Sequence, residues 1–140
     1  MLSKEELISE MKKKGIRPYH KRIRIYEYLL SCCAHPTADE IFFALRQQDL
    51  PGLSKTTVYN VLKLFADAEL IRVIHIDDNE TRYDGVTELH GHFKCESCGT
   101  IYNFAVDTER LTATDLPGFT IHDRGVYFKG ICPRCLSNKK

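Results

Sequence analysis

The amino-acid sequence predicts an α+β fold in two small domains, the first mainly helical and the second a small α/β unit. Apolar residues recur at three and four positions through the first half, a spacing that is typical of helices burying one face. After residue 84 the pattern changes to short strand-like runs, and two C-x-x-C pairs lie among them. We therefore place the domains at residues 1–83 and 84–140.

The composition describes an ordinary globular chain. Hydrophobic residues make up 43% and charged residues 28% of the 140 residues, which is the usual balance for such proteins. No apolar run approaches the ~20 residues of a membrane span, and no signal peptide opens the chain. We therefore expect a cytoplasmic location and no membrane partner. Each half is small enough to need a metal or a partner subunit for stability.

Basic charge is concentrated at the N-terminus. The net charge is only +1, but residues 1–24 contain eight basic residues against three acidic ones. Such a concentration favours a polyanionic partner. On charge alone, a solvated helix face is an equally good interpretation.

Three amphipathic helices are predicted in the first domain before residue 50. The first ends at Gly15, the second begins at Pro18, and the third covers about residues 37–47, because Gly ends helices and Pro is tolerated in their first turn. The second helix ends near Cys32 and Cys33. We interpret these adjacent cysteines as small apolar residues, with a redox role as the alternative.

A fourth helix is predicted from Ser54, a good N-cap, to about Ala68. Its inward face is apolar and consists of Val58, Val61, Leu62 and Phe65. Its other faces present hydroxyls, an amide, a phenol and lysines, namely Lys55, Thr56, Thr57, Tyr59, Asn60 and Lys63. A helix, a short turn and a second, polar-faced helix form a helix-turn-helix, whose second helix lies in the DNA major groove.

A hairpin is predicted after the fourth helix. Residues 70–76 are rich in branched side chains, residues 77–80 have the composition of a turn, and residues 81–86 return as a strand. This hairpin is the expected wing of a winged helix-turn-helix domain. The alternative is a small helical domain with a hairpin and no role in binding nucleic acid.

The second domain is predicted to contain four short strands and one helix. The strands are expected over residues 92–95, 100–104, 119–122 and 126–131, with the helix over about residues 107–115. Such a small unit has little core of its own, so we expect a metal to stabilise it.

Four of the six cysteines form the two C-x-x-C pairs, which are Cys95 with Cys98 and Cys132 with Cys135. In a chain without a signal peptide this spacing favours a metal over disulfides. Two such turns complete a tetrahedral zinc site that has no open coordination position. A four-cysteine site of this kind is structural, because no reactant can enter its coordination sphere.

A second group of metal-binding side chains directly precedes the first C-x-x-C pair. If residues 84–92 are extended, then Asp84, Glu88, His90 and His92 lie on one face, since the side-chain period of a strand is two. Two imidazoles and a carboxylate suit Fe²⁺, Mn²⁺, Co²⁺, Ni²⁺ or Zn²⁺. The alternative is a pair of surface or hydrogen-bonded histidines.

With these motifs in view, the chain resembles the ferric uptake regulator (Fur) family from about Leu7 to Cys135, and most closely its peroxide regulator (PerR) branch. The motifs that support the resemblance are A-H-P-T-A-D-E-I (34–41), S-K-T-T-V-Y-N-V-L-K (54–63), R-Y-D (82–84), H-G-H-F-K-C-E-S-C-G (90–99) and G-I-C-P-R-C (130–135). Together they are far more specific than any one of them.

The resemblance implies a homodimeric, metal-dependent repressor that binds double-stranded operator DNA, with a winged-helix domain followed by an α/β dimerisation domain. It implies one structural zinc per chain, held by the four cysteines. It also implies a regulatory Fe²⁺ or Mn²⁺, with Zn²⁺ or Ni²⁺ as alternatives, held by ligands that join the two domains. Those ligands are His35, Asp84, His90 and His92.

The resemblance also implies how DNA is contacted. Tyr59 corresponds to a residue that contacts bases, and Arg17 to a basic residue that enters the minor groove. We expect the DNA-facing residues to be Arg17, Ser54, Lys55, Thr56, Thr57, Tyr59, Asn60 and Lys63.

One departure from the family concerns the regulatory metal. The family usually has a carboxylate five residues after the second cysteine of the first pair, whereas this chain has Asn103. An amide oxygen is neutral and a weaker donor than a carboxylate. Asn103 itself, or Glu88 on the face of the histidines, is therefore a candidate to complete the site.

Two functions within the family follow from this sequence. By resemblance, a peroxide-responsive repressor of this family would use bound Fe²⁺ to reduce peroxide, and a ligand histidine, His35 or His90, would be oxidised. The alternative is a regulator of iron or manganese homeostasis that does not sense peroxide. A metalloenzyme and a protein-interaction module without DNA binding are alternatives from other classes. We expect a protein that is not an enzyme, since no activated nucleophile or general base accompanies the ligands.

Overall fold

The computed structural model describes the chain in seven segments, which are residues 2–31, 35–75, 80–85, 90–107, 109–111, 114–121 and 124–138. The chain divides into two compact units, Met1–Thr87 and Glu88–Lys140. We predicted the boundary after residue 83, slightly earlier in the chain than the boundary in the structure. Asp84 therefore belongs to the N-terminal unit. Cys32, Cys33 and Glu88 lie outside the described residues.

The N-terminal unit contains four helices that begin at caps encoded in the sequence. They are α1 (Lys4–Lys13), α2 (His20–Ser31), α3 (Ala38–Gln48) and α4 (Lys55–Asp67). Ser3 and Glu6 form a capping box before α1, Thr37 accepts a hydrogen bond from the Glu40 amide before α3, and Ser54 caps α4. Within the described parts of the chain, no helix is long and apolar enough to cross a membrane.

The core of this unit is formed by the predicted inward faces of the helices. The four residues predicted for α4 are all buried, and α3 buries Ala38, Ile41, Phe42 and Leu45. Helix α2 packs against α1, α3 and α4 and against the hairpin, so its buried surface is wider than one stripe. Ile25 is therefore fully buried in α2, although the spacing did not predict it.

The predicted hairpin is present, with strands shorter than expected. Strands β1 (Arg72–Ile74) and β2 (Arg82–Asp84) are antiparallel, and Arg72 lies opposite Asp84. An isolated bridge joins Thr37 to Arg82, so β2 contacts the start of α3. Helices α3 and α4 with this hairpin form the predicted winged helix-turn-helix.

The C-terminal unit is a three-stranded mixed sheet. Strands β3 (Gly91–Cys95), β4 (Ile101–Phe104) and β5 (Val126–Gly130) lie in the order β4-β3-β5. Strand β3 is antiparallel to β4 and parallel to β5. A short helix, α5 (Pro133–Asn138), follows β5 and was not predicted. The mixed helix-and-strand architecture confirms the predicted α+β fold class.

Two predicted elements of the C-terminal unit are wrong for the residues described. Within 107–115 the described residues form turns at 109–110 and 114–115 rather than a helix. The Glu109 amide donates to Asp107 Oδ1 over 3.2 Å, and such local side-chain bonds compete with helix formation. Residues 119–121, predicted as part of a strand, lie outside the strands.

Candidate metal and DNA-binding sites

The four cysteines of the C-x-x-C pairs form one cluster in the C-terminal unit, with ligand atoms all within 4.8 Å of one another. The parallel pairing of β3 with β5 places Cys95 opposite Gly130. The second C-x-x-C pair begins two residues after Gly130 and so lies beside the first pair. The Sγ atoms of Cys95 and Cys135 are 3.7 Å apart, and those of Cys98 and Cys132 are 3.9 Å apart. Sulfurs bound tetrahedrally at about 2.3 Å from zinc lie about 3.8 Å apart. The cluster therefore fits zinc.

Polar groups around the cluster favour the thiolate form that binds metal. The Thr100 hydroxyl lies 3.3 Å from Cys98 Sγ and is the main cause that lowers the pKa of Cys98 to about 5. A hydrogen bond from Tyr102 likewise lowers the pKa of Cys132. The amides of Cys98 and Cys132 donate to Cys95 Sγ over 3.5 and 3.4 Å.

Cys135 differs from the other three thiols. The Ser97 hydroxyl lowers its pKa, but the Cys132 thiol and burial outweigh that effect and raise the pKa of Cys135 to about 11. A doubly charged cation at the centre of the cluster would favour the thiolate at all four positions. Thr100, Tyr102 and Ser97 were not predicted as site residues, and only their closeness in sequence to Cys98 pointed to them.

His35 and Asp84 form a buried pair in the N-terminal unit. Their side chains are 3% and 10% exposed, and His35 Nε2 lies 3.5 Å from Asp84 Oδ2. Two ligand atoms that bind one ion at about 2.1 Å each lie roughly 3–3.5 Å apart. The pair therefore has the donor types and the spacing to bind a single divalent cation from two sides.

The backbone around His35 is held by strand β2. His35 has φ of 50°, in the left-handed region that a non-glycine residue adopts at a cost of about 1–3 kcal/mol. Arg82 Nη1 donates to the His35 carbonyl over 3.0 Å, and the Tyr83 amide donates to the carbonyl of Pro36 over 3.0 Å. These bonds fix the His35 ring beside Asp84.

His90 and His92 are neighbours in the C-terminal unit. Their ring centroids are 4.4 Å apart, and residues two apart in an extended segment lie on the same face. His92 is buried, and its ring stacks on Tyr127 of β5 at 5.9 Å. Strand β4 places Asn103 opposite His92, with Asn103 exposed. Tyr127 was not predicted, because its contact depends on the parallel strand pairing.

The predicted DNA-facing residues are mostly exposed, and two of them, exposed Ser54 and half-buried Thr57, also cap α4. Arg17 and five residues of α4 are exposed, and those five are Lys55, Thr56, Tyr59, Asn60 and Lys63. The other two take part in the cap of α4, where the hydroxyls of Ser54 and Thr57 are 2.8 Å apart. The Arg17 guanidinium donates to the Tyr19 hydroxyl over 3.3 Å.

A winged helix-turn-helix unit followed by a small sheet unit with a four-cysteine cluster and a buried His/Asp pair defines a metal-responsive transcription regulator. The model of the ferric uptake regulator family matches residues 13–128. The chain belongs to the ferric uptake regulator family.

Relatives and solved structures cover nearly the whole chain. The peroxide operon regulator of Bacillus subtilis (strain 168) is 35% identical over 134 residues, which are 94% of this chain and 92% of that protein. The Helicobacter pylori ferric uptake regulator Fur is similar in structure, with a TM-score of 0.76 at 22% identity over 96% of this chain and 95% of that one. PerR from Streptococcus pyogenes has a TM-score of 0.54 at 32% identity, over 96% and 94% respectively.

Family membership decides between the classes of function that the sequence left open. Members of this family are dimeric, DNA-binding transcription regulators and not enzymes, so the metalloenzyme alternative is excluded. The C-terminal unit corresponds to the dimerisation domain of the family. Structural zinc and a regulatory iron or manganese are the metals of the family, and this chain has a four-cysteine cluster and a His/Asp pair that suit them.

Proposed function

We propose that this chain is a homodimeric repressor that binds operator DNA while its regulatory metal is bound and releases it on exposure to peroxide. The observation that best supports the peroxide response is the 35% identity to a peroxide operon regulator over 94% of the chain. A location in the cytoplasm, expected of a repressor acting on DNA, is part of this proposal.

The proposed regulatory site consists of the two pairs described in the separate units. His35 and Asp84 supply an imidazole and a carboxylate, and His90 with His92 supply two more imidazoles. This donor set suits Fe²⁺ or Mn²⁺ and also accepts Zn²⁺ or Ni²⁺. Asp84 is the one anionic member among the described ligands, so the charge of the site depends on it and on what Asn103 or Glu88 adds.

In the peroxide response, ferrous iron held by these residues would activate hydrogen peroxide toward a ligand ring, and the ring itself would supply the two electrons. One oxygen atom of hydrogen peroxide is added to the imidazole of His35 or His90, and the other leaves as water. His35 is almost completely buried, which keeps the ring in place and limits its access to solvent. Oxidation of a ligand ring would weaken its donation to the metal. The protein would then lose the conformation that binds DNA.

The proposed DNA contacts follow from charge and exposure. Lys55 and Lys63 place two ammonium groups on α4, and Arg17 adds a guanidinium that precedes α2. Positive groups like these supply phosphate contacts, which position a protein without reading sequence. Tyr59 lies between the two lysines on α4 and is the proposed base contact.

The proposed homodimer is supported by the exposed apolar surface of the C-terminal unit. Large hydrophobic side chains that solvent reaches are frequent there, among them Phe119, Ile121, Phe128 and Leu136. Monomeric proteins rarely leave such surface uncovered. A second copy of the chain is the occupant that the family implies.

A second candidate function is regulation of iron or manganese levels without peroxide sensing. Asn103 favours it, because a neutral amide beside His92 leaves the regulatory ion with less anionic donation. This candidate shares the DNA binding and the metal dependence of the first and differs only in the signal.

The test compares iron-loaded and manganese-loaded protein, both prepared without oxygen. DNA that the manganese-loaded protein selects from a random library serves as the probe, and binding is followed during a peroxide titration. The proposal expects the iron-loaded protein to lose DNA binding and to gain the mass of one oxygen atom on His35 or His90. The manganese-loaded protein should keep both its DNA and its mass. If both forms keep their DNA, the homeostasis function is the correct one.

A further inference from the structure

The DNA-facing side of α4 contacts a carboxylate, Asp39, that the proposed function does not use. Asp39 lies in the first turn of α3, and its Oδ1 accepts a hydrogen bond from the Tyr59 hydroxyl over 3.4 Å. The same oxygen lies 3.9 Å from Lys55 Nζ, with both side chains about half exposed. One carboxylate oxygen therefore contacts two of the residues proposed to bind DNA.

The position of Lys55 shows that this contact belongs to a larger arrangement. Its Nζ lies 5.6 Å from the ring centroids of both Phe42 and Phe43, which attract a cation through their faces. Lys55 and Tyr59 are four residues apart and so lie on the same side of α4. Asp39 and the two rings of α3 thus hold the first turn of the recognition helix.

A purely local role for Asp39 leaves part of this geometry unexplained. An acidic residue in the first turn interacts favourably with the helix dipole, and Asp39 would do so with its side chain in any exposed orientation. The dipole does not require contact with Tyr59, which is 51% exposed and has solvent available as a partner. The helix dipole therefore does not explain the hydrogen bond between Tyr59 and Asp39.

The hydrogen bond has a consequence for base recognition. A phenol has one proton, and when Tyr59 donates it to Asp39 the oxygen is left as an acceptor only. In the major groove the donors are the amino groups of adenine and cytosine, whereas guanine N7 and O6 are acceptors. A Tyr59 held in this way accepts from adenine or cytosine and does not donate to guanine.

The charge of Asp39 has a second consequence. A carboxylate beside Lys55 offsets the attraction of this ammonium for phosphate, and phosphate attraction is the sequence-independent part of DNA affinity. Asp39 therefore lowers affinity for every duplex, while its hydrogen bond to Tyr59 favours particular bases.

We propose that Asp39 is a specificity-determining residue. It fixes the Tyr59 hydroxyl as an acceptor for a base amino group, and it weakens binding of this face to DNA of any sequence. This inference rests on the proposed binding of DNA by α4.

The experiment compares Asp39→Ala with a matched control, Asp67→Ala. Asp67 is the last residue of α4 and pairs with Lys63 over 3.2 Å, so this control also removes a carboxylate from a DNA-binding lysine. Affinities of manganese-loaded protein are measured for a selected duplex and for a scrambled duplex at several salt concentrations. Thermal melting checks that each variant folds, and Asp39→Leu, which keeps a similar volume but has no hydrogen-bond acceptor, replaces an unstable Asp39→Ala.

Both substitutions should tighten binding to the scrambled duplex and steepen the salt dependence, by about one unit of slope for each additional phosphate neutralised. Only Asp39→Ala should reduce the ratio of specific to scrambled affinity, by about 2- to 10-fold, the range of a single hydrogen bond. In a Tyr59→Phe background, Asp39→Ala should leave that ratio unchanged.

Equal ratios of specific to scrambled affinity in the Asp39→Ala and Asp67→Ala proteins would overturn the inference. It would also be overturned if Asp39→Ala reduced this ratio as much in the Tyr59→Phe background as in the wild type. A wild-type protein that binds both duplexes equally would overturn the proposed DNA recognition itself, and the inference with it. The two results that would overturn only the inference can be obtained only if the wild-type protein prefers the selected duplex. Failure of the inference is therefore distinguishable from failure of the proposed DNA recognition.

Discussion

His35 Nε2 and Asp84 Oδ2 lie 3.5 Å apart, although the backbone of His35 is in the left-handed region. A conformation of this kind persists only where the surroundings impose it. Here Arg82 imposes it, because its guanidinium donates to the His35 carbonyl. A buried imidazole held beside a buried carboxylate, at the spacing of two ligands on one ion, supports the assignment of both to the regulatory metal.

Asp84→Asn should weaken Mn²⁺ binding by at least 10- to 100-fold, the range found for groups that merely support a ligand. The amide keeps the shape of the side chain but removes the negative charge that attracts a hard cation. Affinity is measured by competition with a fluorescent chelator, and the zinc content should stay at about one per chain. Asp115→Asn, an exposed acid of the C-terminal unit, is the control. If Asp84→Asn binds Mn²⁺ as tightly as this control, Asp84 is not a ligand.

Cys95→Ser should remove about one zinc per chain and unfold the C-terminal unit, because zinc supplies ~10–16 kcal/mol in zinc-finger peptides. Zinc is measured by elemental analysis, and dimerisation by sedimentation. Cys33→Ser, which lies outside the two C-x-x-C pairs, should change neither. A Cys95→Ser protein that keeps its zinc and its dimer would refute the assignment.

Tyr59→Ala should cost roughly 1–3 kcal/mol of discrimination between DNA sites, the value of a good base contact. Lys63→Ala should instead weaken binding to all sequences and reduce the salt slope by about one unit, because a phosphate contact carries no sequence information. Both variants are measured on selected and scrambled duplexes. Unchanged discrimination in Tyr59→Ala would show that α4 is not the recognition helix.

The ion pair between Arg24 and Asp49 should make the stability of the N-terminal unit depend on pH. Arg24 Nε lies 2.8 Å from Asp49 Oδ2, joining α2 to the residue that ends α3, and this hydrogen bond is the main cause that lowers the pKa of Asp49. A lowered folded-state pKa adds stability above the unfolded pKa of about 3.9, and this stability is lost as the pH falls through the folded pKa.

Asp49→Asn should therefore melt at a lower temperature than wild type at neutral pH, and the difference should disappear as the pH falls below about 4. Circular dichroism at the helix wavelength follows the melting. Arg24→Gln removes the same pair and should show the same dependence on pH. A difference that is constant with pH would mean that the ion pair adds no stability.

The helices of the N-terminal unit could be predicted because their signals are local. The cap at Ser54 and the apolar spacing of α4 lie within one short segment, and both appear in the structure. The parallel pairing of β3 with β5 could not be predicted, because strands this short carry no signal for a distant partner. The helix expected over 107–115 is absent from the described residues of that range for a local reason, since the Asp107 side chain accepts a hydrogen bond from the Glu109 amide.

The two candidate metal sites differ in how far they could be predicted from the sequence. The four-cysteine cluster follows from spacing alone, because each C-x-x-C pair supplies two ligands from one turn. His35 could be assigned only through the family resemblance, since it is distant in sequence from Asp84. The contacts of Tyr127 with His92 and of Asp39 with Tyr59 were not predicted, because each joins two different elements.

A carboxylate at position 103 should strengthen the regulatory site. Strand pairing places Asn103 opposite His92, and cross-strand neighbours share one face of a sheet. Three neutral imidazoles and one carboxylate leave a net positive charge on a divalent ion, and a second carboxylate would neutralise it. Asn103→Asp should therefore raise the affinity for Fe²⁺ and Mn²⁺, hard ions that prefer oxygen ligands. It should change the affinity for Zn²⁺ and Ni²⁺ less, since imidazole suits them.

The same substitution should also speed the loss of DNA binding when peroxide is added to the iron-loaded protein, since a more anionic ligand set makes bound iron a better reductant. The measurements are metal affinity, DNA binding and the mass of His35 and His90 during a peroxide titration. Asn138→Asp, the same change at an exposed position of α5, is the control. Equal behaviour of wild type and Asn103→Asp would mean that Glu88 or a water molecule already completes the site. Glu88→Gln then decides between those two, because it should weaken Mn²⁺ binding only if the Glu88 carboxylate is a ligand.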